Sequence, residues 1–354
     1  MIRRILTPAP HVRKATVREA AKQLLPAAPG VWSANCRPLS CAVDWCQRNQ
    51  EHPLASTSTA PRTTPRRSPW IAAIPLFLFP ALAIAFRNRM PAWLFMWALS
   101  FAIFAGLKWM TWWKARTRIP HDLGRSFAYL VAWPGMDAEC FLDAEKRPPK
   151  PSAQDWLWAA LKTALGVALL WAVARRIPDQ LDLLRGWIGL FGLIFLLHFG
   201  SFNLIALLWQ TVGIDAEPIM SKPILSKTLS EFWGKRWNLG FRQLAHDLIF
   251  RPLYKRTGVA IAGLLVFAAS GLIHDMVISL PARGGYGLPT GYFLLQGLGV
   301  TLERSALGRR LGLQQGQAGW IFMAVVTAAP AFWLFHPAFV LRVILPFMHA
   351  VHAL

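Results

Sequence analysis

The apolar residues of this chain are gathered into long runs separated by shorter polar segments. A helix needs about 20 apolar residues to cross a bilayer, with a range of about 17–25. The runs cover residues 70–86, 91–107, 156–174, 186–209, 259–280, 288–302 and 318–351. The last run is long enough for one span and a second that is broken near His336 and Pro337. The pattern predicts an all-α, polytopic membrane protein with about seven to nine transmembrane helices.

Residues 1–68 differ from the rest, because they lack a sustained apolar period and are rich in Arg, Pro, Ser and Thr. A segment of this composition buries too little apolar surface to offset the entropy of ordering. We therefore expect a basic, disordered N-terminal segment in which only residues 13–25 have the spacing of a short amphipathic helix. Residues 69–354 form the predicted membrane-embedded domain.

Three of the four cysteines lie in this N-terminal segment at intervals of five residues, and Cys140 lies far from them. Cys36, Cys41 and Cys46 match neither the spacing of a CxxC zinc pair nor a disulfide framework. We therefore expect free thiols and no bound metal.

The composition supports the membrane assignment, and the distribution of the positive charge argues against nucleic-acid binding. Hydrophobic residues make up 55% of the chain and charged residues 16%, against about 45–50% and 25% in soluble domains. The net charge is +21. Nucleic-acid binding would require these charges on one folded polar face. Here they fall in short clusters between apolar runs, which is typical of loops that face an anionic leaflet.

The distribution of Lys and Arg predicts the orientation. If residue 68 is cytoplasmic, the N-terminal segment and the loops 108–154, 210–256 and 303–317 hold 30 of the 38 Lys and Arg residues, and the outer loops hold six. The positive-inside rule favours this arrangement. We expect a protein of the cytoplasmic membrane of a bacterium, with a cytoplasmic N-terminus. Lys108 and Lys162, near or within apolar runs, are expected to reach the interface with their side chains.

The predicted inner segment 221–256 has a helical pattern rather than that of a linker. Large apolar residues recur at steps of four, four, three and four: Trp233, Trp237, Phe241, Leu244 and Leu248. This spacing predicts one amphipathic helix with Ser230 as its N-cap. A basic helix with Trp on its apolar side lies in the membrane interface. One interpretation is an anchor without chemistry.

The other interpretation is a binding and catalytic segment. The side-chain amide of Asn238 can donate to a developing oxyanion or hold a carbonyl. Lys235 and Arg236 come just before it, and Arg242 follows. Such cations suit the phosphates of a nucleotide-bearing donor such as coenzyme A. Spacing alone does not choose between the two interpretations.

A histidine lies deep in the run 259–280. Ionisable residues at such depth are costly and usually face the protein interior or a wet cavity. His274 shares a helix face with Ser270, and a neutral imidazole is the usual general base near neutral pH. The alternative is a structural histidine bonded to a neighbouring helix, which is the favoured interpretation for His198. Asp275 points about 100° away around the helix and is a poor orienter of His274.

With Asn238 and His274 both placed, the chain resembles the membrane-bound O-acyltransferase family and its wax-synthase branch. Residues 231–238 (EFWGKRWN) are similar to that family's FW-x-R/K-W-N block, and residues 270–275 (SGLIHD) to its SG-x-x-H-E block. Residues 133–137 (WPGMD) resemble a shorter element of wax-synthase-like members. The resemblance covers roughly residues 70–350. Asp275 stands where Glu is commoner in the family.

The resemblance implies helices around a central tunnel, with amphipathic helices at the interface. Acyl-CoA would enter from the cytoplasmic side as a substrate, a lipid acceptor would enter laterally, and no cofactor would be bound permanently. His274 would be the general base and Asn238 the second catalytic residue. We expect the donor site at Lys235, Arg236, Trp237 and Arg242.

The resulting hypothesis is an O-acyltransferase that moves a fatty acyl group from acyl-CoA to a long-chain alcohol, giving a wax ester. The same chemistry on a sterol, diacylglycerol, glycan or protein hydroxyl is the alternative. A different class is a transporter whose His198 and His274 line a polar path. The sequence has no clear inverted repeats of the transporter kind.

Overall fold

A computed structural model describes residues 69–354 of the chain. The predicted N-terminal segment 1–68, with its short helix at 13–25 and its three cysteines, lies outside the described residues. The described part is helical and contains no strand. The prediction of an all-α, polytopic membrane protein is therefore confirmed.

Each predicted apolar run corresponds to a helix. Within residues 69–354, five helices are long and apolar enough to span a bilayer, and two apolar helices are shorter, at Ile71–Ala85 and Pro337–Ala350. In chain order these seven helices are α1 (Pro69–Ala85), α2 (Ala92–Ala115), α5 (Ala153–Arg176), α6 (Asp179–Thr211), α9 (Val259–Ala282), α12 (Gly316–Leu334) and α13 (Pro337–Ala350). Helix α10 (Leu288–Arg304) lies between α9 and α12 in the chain. Shorter helices lie between these helices: α3 (Leu123–Ala132), α4 (Ala138–Leu142) and α11 (Ala306–Arg310).

Local signals explain where several of these helices begin. Helix α5 starts with a capping box, in which the Ser152 hydroxyl accepts from the Asp155 N–H and the Asp155 carboxylate accepts from the Ser152 N–H. The break predicted near His336 and Pro337 is present, because the Nδ1 atom of His336 accepts from the Phe339 N–H and caps α13.

Small residues let the membrane helices approach closely. Gly186 and Gly189 of α6 lie against Val340 and Met348 of α13, where an added methyl group would have no space. Close contact between backbones is the usual way in which helices pack in lipid, because lipid chains are as apolar as the helices themselves. A buried cluster joins α6 and α13 to α2 and also includes residues of α5 and α9.

The inner segment is two helices rather than one amphipathic helix. Helix α7 runs from Leu229 to Arg236 and includes a π-helical turn, and helix α8 runs from Leu239 to Thr257. Between them Trp237 is extended and Asn238 has a left-handed backbone, with φ of 44°. The predicted continuous helix is therefore wrong, because two residues with non-helical backbone interrupt the apolar stripe.

The predicted N-cap is also wrong. Thr228 caps α7, since its hydroxyl accepts from the Glu231 N–H at 3.0 Å. Ser230 lies in the first turn, and its hydroxyl accepts from Nε of Arg304 at 3.0 Å. Thr228 and Ser230 are both good capping residues. Which of them caps the helix depends on the contact that Arg304, at the end of α10, makes with Ser230.

Candidate active site

The side chain of His274 is oriented by its own helix. Its Nδ1 atom lies 2.7 Å from the carbonyl oxygen of Ser270, one turn earlier in α9. A carbonyl oxygen can only accept, so the proton of the neutral imidazole is on Nδ1 and the lone pair is on Nε2. Ser270 contributes its backbone oxygen to this contact. The arrangement leaves Nε2 as the atom that can take a proton from a substrate.

Apolar groups surround this imidazole. The ring of Phe293, on α10, lies 4.4 Å from the ring of His274 between centroids. Ile273 and Met276, on either side of it in the chain, pack in a buried cluster together with Phe241 of α8. The cluster joins the helix that carries His274 to the helix that follows Asn238. In such surroundings hydrogen bonds and charges interact more strongly than in water.

Asp275 does not orient His274, as the helix geometry predicts. Its carboxylate accepts from the Ser279 hydroxyl at 2.8 Å, from the Gly287 N–H at 2.9 Å and from the Thr290 N–H at 3.1 Å. The Thr290 hydroxyl is a further donor. We call these four residues the Asp275 cluster. It attaches α9 to the first turn of α10, where the positive end of the helix favours a carboxylate.

Asn238 has a structural role as well as a predicted chemical one. Asn is among the few residues that adopt the left-handed conformation readily. Its Oδ1 atom accepts from the Phe241 N–H at 3.3 Å and so caps α8. With Oδ1 used in this way, the NH₂ group is the part of the side chain that can donate to a substrate.

Two of the three predicted phosphate ligands hold the Asn238 segment together. The Arg236 guanidinium contacts the Glu231 carboxylate at 2.7 Å and the Ser221 carbonyl at 3.3 Å. Arg242 donates to the Gly234 carbonyl at 2.5 Å. Lys235 is exposed. Arg242 is also exposed and Arg236 is half-buried, so Lys235 and Arg242 are the more accessible of the three cations.

The Arg236 contact also affects Glu231. Partial burial opposes ionisation of this carboxyl, but the Lys227 N–H and the Arg236 guanidinium outweigh burial and lower its pKa. Glu231 is thus ionised at neutral pH and fixes the turn that leads to Asn238.

Aromatic residues of the segment also connect it to the histidine through the ring of Phe293. Trp237 stacks on Phe232, with centroids 5.3 Å apart, and contacts Phe199 of α6 at 6.2 Å. Trp233 lies 5.7 Å from Phe293, the ring that packs on His274. The structure therefore brings the two sequence blocks together at Phe293.

The WPGMD element packs against the segment that carries Asn238. It is extended between α3 and α4, and the Tyr129 hydroxyl donates to the Met136 carbonyl at 3.0 Å. A Cβ atom on Gly240 would lie 3.0 Å from the Met136 nitrogen, which is closer than most Cβ contacts, so a larger residue would require a small shift of this backbone. The element thus packs directly on the first turn after Asn238.

Lys108 does not reach the interface as expected. Its side chain is 1% exposed, donates from Nζ to the Gly135 carbonyl, and lies 3.4 Å from the centroid of the Tyr129 ring. The carbonyl and the aromatic face replace water around the ammonium group, so the side chain turns inward and holds the WPGMD element. Lys162 is half-buried.

A small polar cavity of about 60 Å³ lies between the WPGMD element and the start of α8. Asp215 on its wall pairs with Lys146 at 2.6 Å. Burial raises the pKa of the neighbouring Cys140 thiol to about 12, so this thiol is not a reactive nucleophile.

His198 lies on a π-helical turn of α6, with its ring 5.5 Å from that of Phe202. Its Nδ1 atom is buried and makes no hydrogen bond within the described part of the chain. The π-helical turn was not predicted from the sequence.

Sequence reasoning missed two buried polar residues of α10. Gln296 is fully buried and accepts from the Trp233 indole at 3.3 Å. Glu303 is 2% exposed and accepts from the Leu229 N–H at 2.6 Å and the Ser230 N–H at 3.3 Å. Gln296 lies within the apolar run 288–302, and Glu303 directly follows it. These two positions are the only sequence signals that could have identified them.

The described residues thus define a polytopic helical membrane protein with an imidazole and a side-chain amide on adjoining segments of its interior. Residues 216–295, which include both groups, match the model of the membrane bound O-acyl transferase family. The chain is 29% identical over 142 residues to "Long-chain-alcohol O-fatty-acyltransferase" of Simmondsia chinensis, covering 37% of this chain and 40% of that protein.

Two proteins of Arabidopsis thaliana are similar over comparable stretches. "Probable long-chain-alcohol O-fatty-acyltransferase 2" is 31% identical, covering 37% of this chain and 41% of the relative. "Acyl-CoA--sterol O-acyltransferase 1" is 27% identical, covering 36% and 39%. The matched stretch thus spans about 40% of the length of these curated relatives.

The resemblance to the membrane-bound O-acyltransferase family and to wax-synthase-like proteins that was noted from the sequence is therefore confirmed over this part of the chain.

Proposed function

We propose that this protein transfers a fatty acyl group from acyl-CoA to the hydroxyl of a lipid acceptor, and that a long-chain alcohol is its acceptor. The single observation that carries the proposal is the hydrogen bond from Nδ1 of His274 to the Ser270 carbonyl. It leaves Nε2 as a base inside an apolar membrane domain. The names of the relatives, which include alcohol and sterol acyltransferases, support the same class of reaction.

The reaction needs one proton to move twice. Nε2 of His274 takes the proton of the acceptor hydroxyl as its oxygen attacks the thioester carbonyl carbon. A carbon–oxygen bond forms, the carbon–sulfur bond breaks, and the leaving CoA sulfur receives the proton from Nε2. Nδ1 keeps its proton and its bond to the Ser270 oxygen throughout, which stabilises the imidazolium between the two transfers. No acyl-enzyme is required.

Asn238 is assigned to the thioester carbonyl oxygen. Because Oδ1 of Asn238 caps α8, its NH₂ group is held in a fixed direction. A pre-oriented donor stabilises the negative charge that develops on the carbonyl oxygen, typically by about 10²–10³-fold in rate. This is the second role that we propose for the amide.

The apolar surroundings serve the same reaction. The alcohol is too apolar for water, and the CoA head group is too polar for lipid, so the protein must let both meet. Phe293 and the cluster around Ile273 and Met276 line the His274 side and keep water from the thioester. We propose that the predicted tunnel passes this point.

For the donor, we propose that Lys235 contacts the phosphates first, since it is exposed on the turn before Asn238. Arg236 and Arg242 hold the turn and can offer their remaining N–H groups. Trp237, which stacks on Phe232 in the same segment, completes the proposed donor site. This arrangement requires the segment to face the cytoplasm, as the Lys and Arg distribution predicts, with the protein in the cytoplasmic membrane of a bacterium.

The test is product formation by the full chain in proteoliposomes that contain labelled palmitoyl-CoA and hexadecanol. We expect wild-type protein to form the wax ester and His274→Ala to form none, with equal amounts of folded protein. Ester formation by His274→Ala at the wild-type rate would refute the proposal. A parallel reaction with a sterol or diacylglycerol, followed by mass spectrometry, identifies the acceptor.

The same proteoliposomes test the alternative of a transporter. His198, with its buried Nδ1 atom, is the residue that favours a polar path through α6. Movement of solute across the bilayer without consumption of acyl-CoA would support transport over acyl transfer.

A further inference from the structure

Helix α10 carries neither of the proposed catalytic residues, yet it contacts both of the segments that do. At its beginning, the Asp275 cluster attaches it to α9 immediately after His274. One turn later, Phe293 lies on the His274 ring at 4.4 Å. The first half of α10 is therefore tied to the proposed general base.

The middle of α10 holds the Asn238 segment through a hydrogen bond. The indole N–H of Trp233 donates to Oε1 of Gln296 at 3.3 Å. The NH₂ group of Gln296 donates to the Val326 carbonyl on α12 at 2.7 Å. Both polar ends of this fully buried side chain are thus used, which orients Oε1 toward Trp233.

The end of α10 holds the start of the same segment. The Glu303 carboxylate accepts from the Leu229 and Ser230 N–H groups, the first donors of α7. These N–H groups have no partner within their own helix. A buried carboxylate is costly unless hydrogen bonds satisfy it, so this contact fixes where α7 begins. Asn238 follows α7 by two residues.

Phe293, Gln296 and Glu303 are spaced by three and seven residues and therefore share one face of α10. At about 1.5 Å per residue, they are about 15 Å apart from first to last. A regular helix holds such a spacing rigidly. Contacts along this face thus relate the position of His274 to that of the segment that carries Asn238.

We propose that Gln296 and Glu303 are positioning residues, which act through Trp233 and α7 to hold Asn238 at a fixed offset from His274. The inference rests on the proposed acyl transfer. A displacement of about 1 Å in a catalytic group can lower the rate about 100-fold. Loss of either contact should therefore reduce kcat, and KM for acyl-CoA should change little.

The first experiment measures kcat and KM of Glu303→Gln in proteoliposomes, normalised to folded protein. We expect kcat to fall about 10–100-fold and KM to stay within about twofold. The control is Tyr292→Phe, which removes a hydrogen bond from the same helix to the Thr327 carbonyl and leaves the Asn238 segment untouched. Equal kcat in Glu303→Gln and Tyr292→Phe would overturn the proposal for Glu303.

A double-mutant cycle separates positioning from general damage. In the Asn238→Gly background, where the amide is absent, Glu303→Gln should cost less than about threefold in kcat. An equal fold-loss with and without the amide would mean that Glu303 does not act through Asn238. Inactive wild-type protein would instead refute the proposed function itself, so the two failures are distinguishable.

If Glu303→Gln does not accumulate as folded protein, a second pair decides. Trp233→Phe keeps an aromatic ring but removes the indole donor, and Gln296→Met removes the acceptor. We expect the double variant to lower kcat no further than Gln296→Met alone, because Gln296→Met has already lost the bond to Trp233 as well as the bond to Val326. Additive losses would overturn the proposal for Gln296.

Discussion

The two segments that carry the proposed catalytic residues are built in different ways. His274 lies on a regular span, and a carbonyl one turn earlier in the same helix determines its tautomer. Asn238 lies between two helices, on a left-handed backbone that follows a π-helical turn. Its position depends on α10, on the WPGMD element and on the hydrogen bond from the Leu239 N–H to the Ile219 carbonyl.

His274 and Asn238 should therefore respond differently to mutation. A residue oriented by its own helix can lose its chemistry without loss of structure. A residue oriented by distant contacts contributes to structure as well, so its replacement should affect stability and activity together. The following variants test this comparison.

The largest effect is expected for His274→Gln. The glutamine side chain is polar and similar in length but is not a base, so kcat should fall by about 10²–10⁴-fold. The melting temperature in detergent should stay close to that of the wild type, because α9 itself is unchanged. A large drop in melting temperature would contradict the view that this site is locally built.

Three variants of Asn238 should separate its two roles. Asn238→Asp keeps the acceptor that caps α8 but removes the NH₂ donor, and Asn238→Gly keeps only the left-handed backbone. We expect both to lower kcat about 10²–10³-fold if the amide acts on the thioester.

Asn238→Ala removes the amide, the cap and the favourable backbone. We expect the same loss of activity and, in addition, a stability loss of about 1–2 kcal/mol, measured by thermal unfolding in detergent. Activity near the wild-type level in Asn238→Gly would assign this residue a conformational role alone.

A smaller effect is expected for Asp275→Asn. The amide can accept fewer hydrogen bonds than the carboxylate, so one donor among Ser279, Gly287 and Thr290 loses its partner. We expect a stability loss of about 1–3 kcal/mol and a fall in kcat of about tenfold as α10 shifts over His274. A fall as large as that of His274→Gln would mean that Asp275 acts directly on the imidazole.

The smallest effect concerns Glu231, which pairs with Arg236 in the Asn238 segment. The pKa of Glu231 is lower in the folded protein than the ordinary value of 4.5. The ion pair therefore makes its full contribution to the free energy of unfolding above that pH. The contribution is lost as pH falls through the lowered pKa. Glu231→Gln should therefore cost less than about 1 kcal/mol at pH 7 and remove this part of the acid sensitivity. Unfolding curves at pH 7 and pH 4 provide the measurement.

Most of the membrane architecture could be predicted from the chain alone. The runs at 91–107, 156–174 and 259–280 correspond to α2, α5 and α9, although α2 continues to Ala115. Lipid contact requires apolar side chains on consecutive turns, and this requirement is visible in any window of about 20 residues. The His274 and Asn238 blocks were found because both lie in short, local sequence patterns.

The features that can be read from the chain are therefore local: the all-α class, the positions of the apolar spans, and an imidazole whose partner is one turn away. The inward turn of Lys108, the break of the amphipathic helix at Trp237 and Asn238, and the start of α7 at the Glu303 carboxylate all depend on contacts between distant parts of the fold. The physical reason is that a buried polar group needs a specific partner, and that partner can come from anywhere in the chain. Apolar burial needs only a run of suitable side chains, which is visible in the local sequence. The bond between the Leu229 N–H and the Glu303 carboxylate joins residues that are 74 positions apart, so no local pattern reveals it.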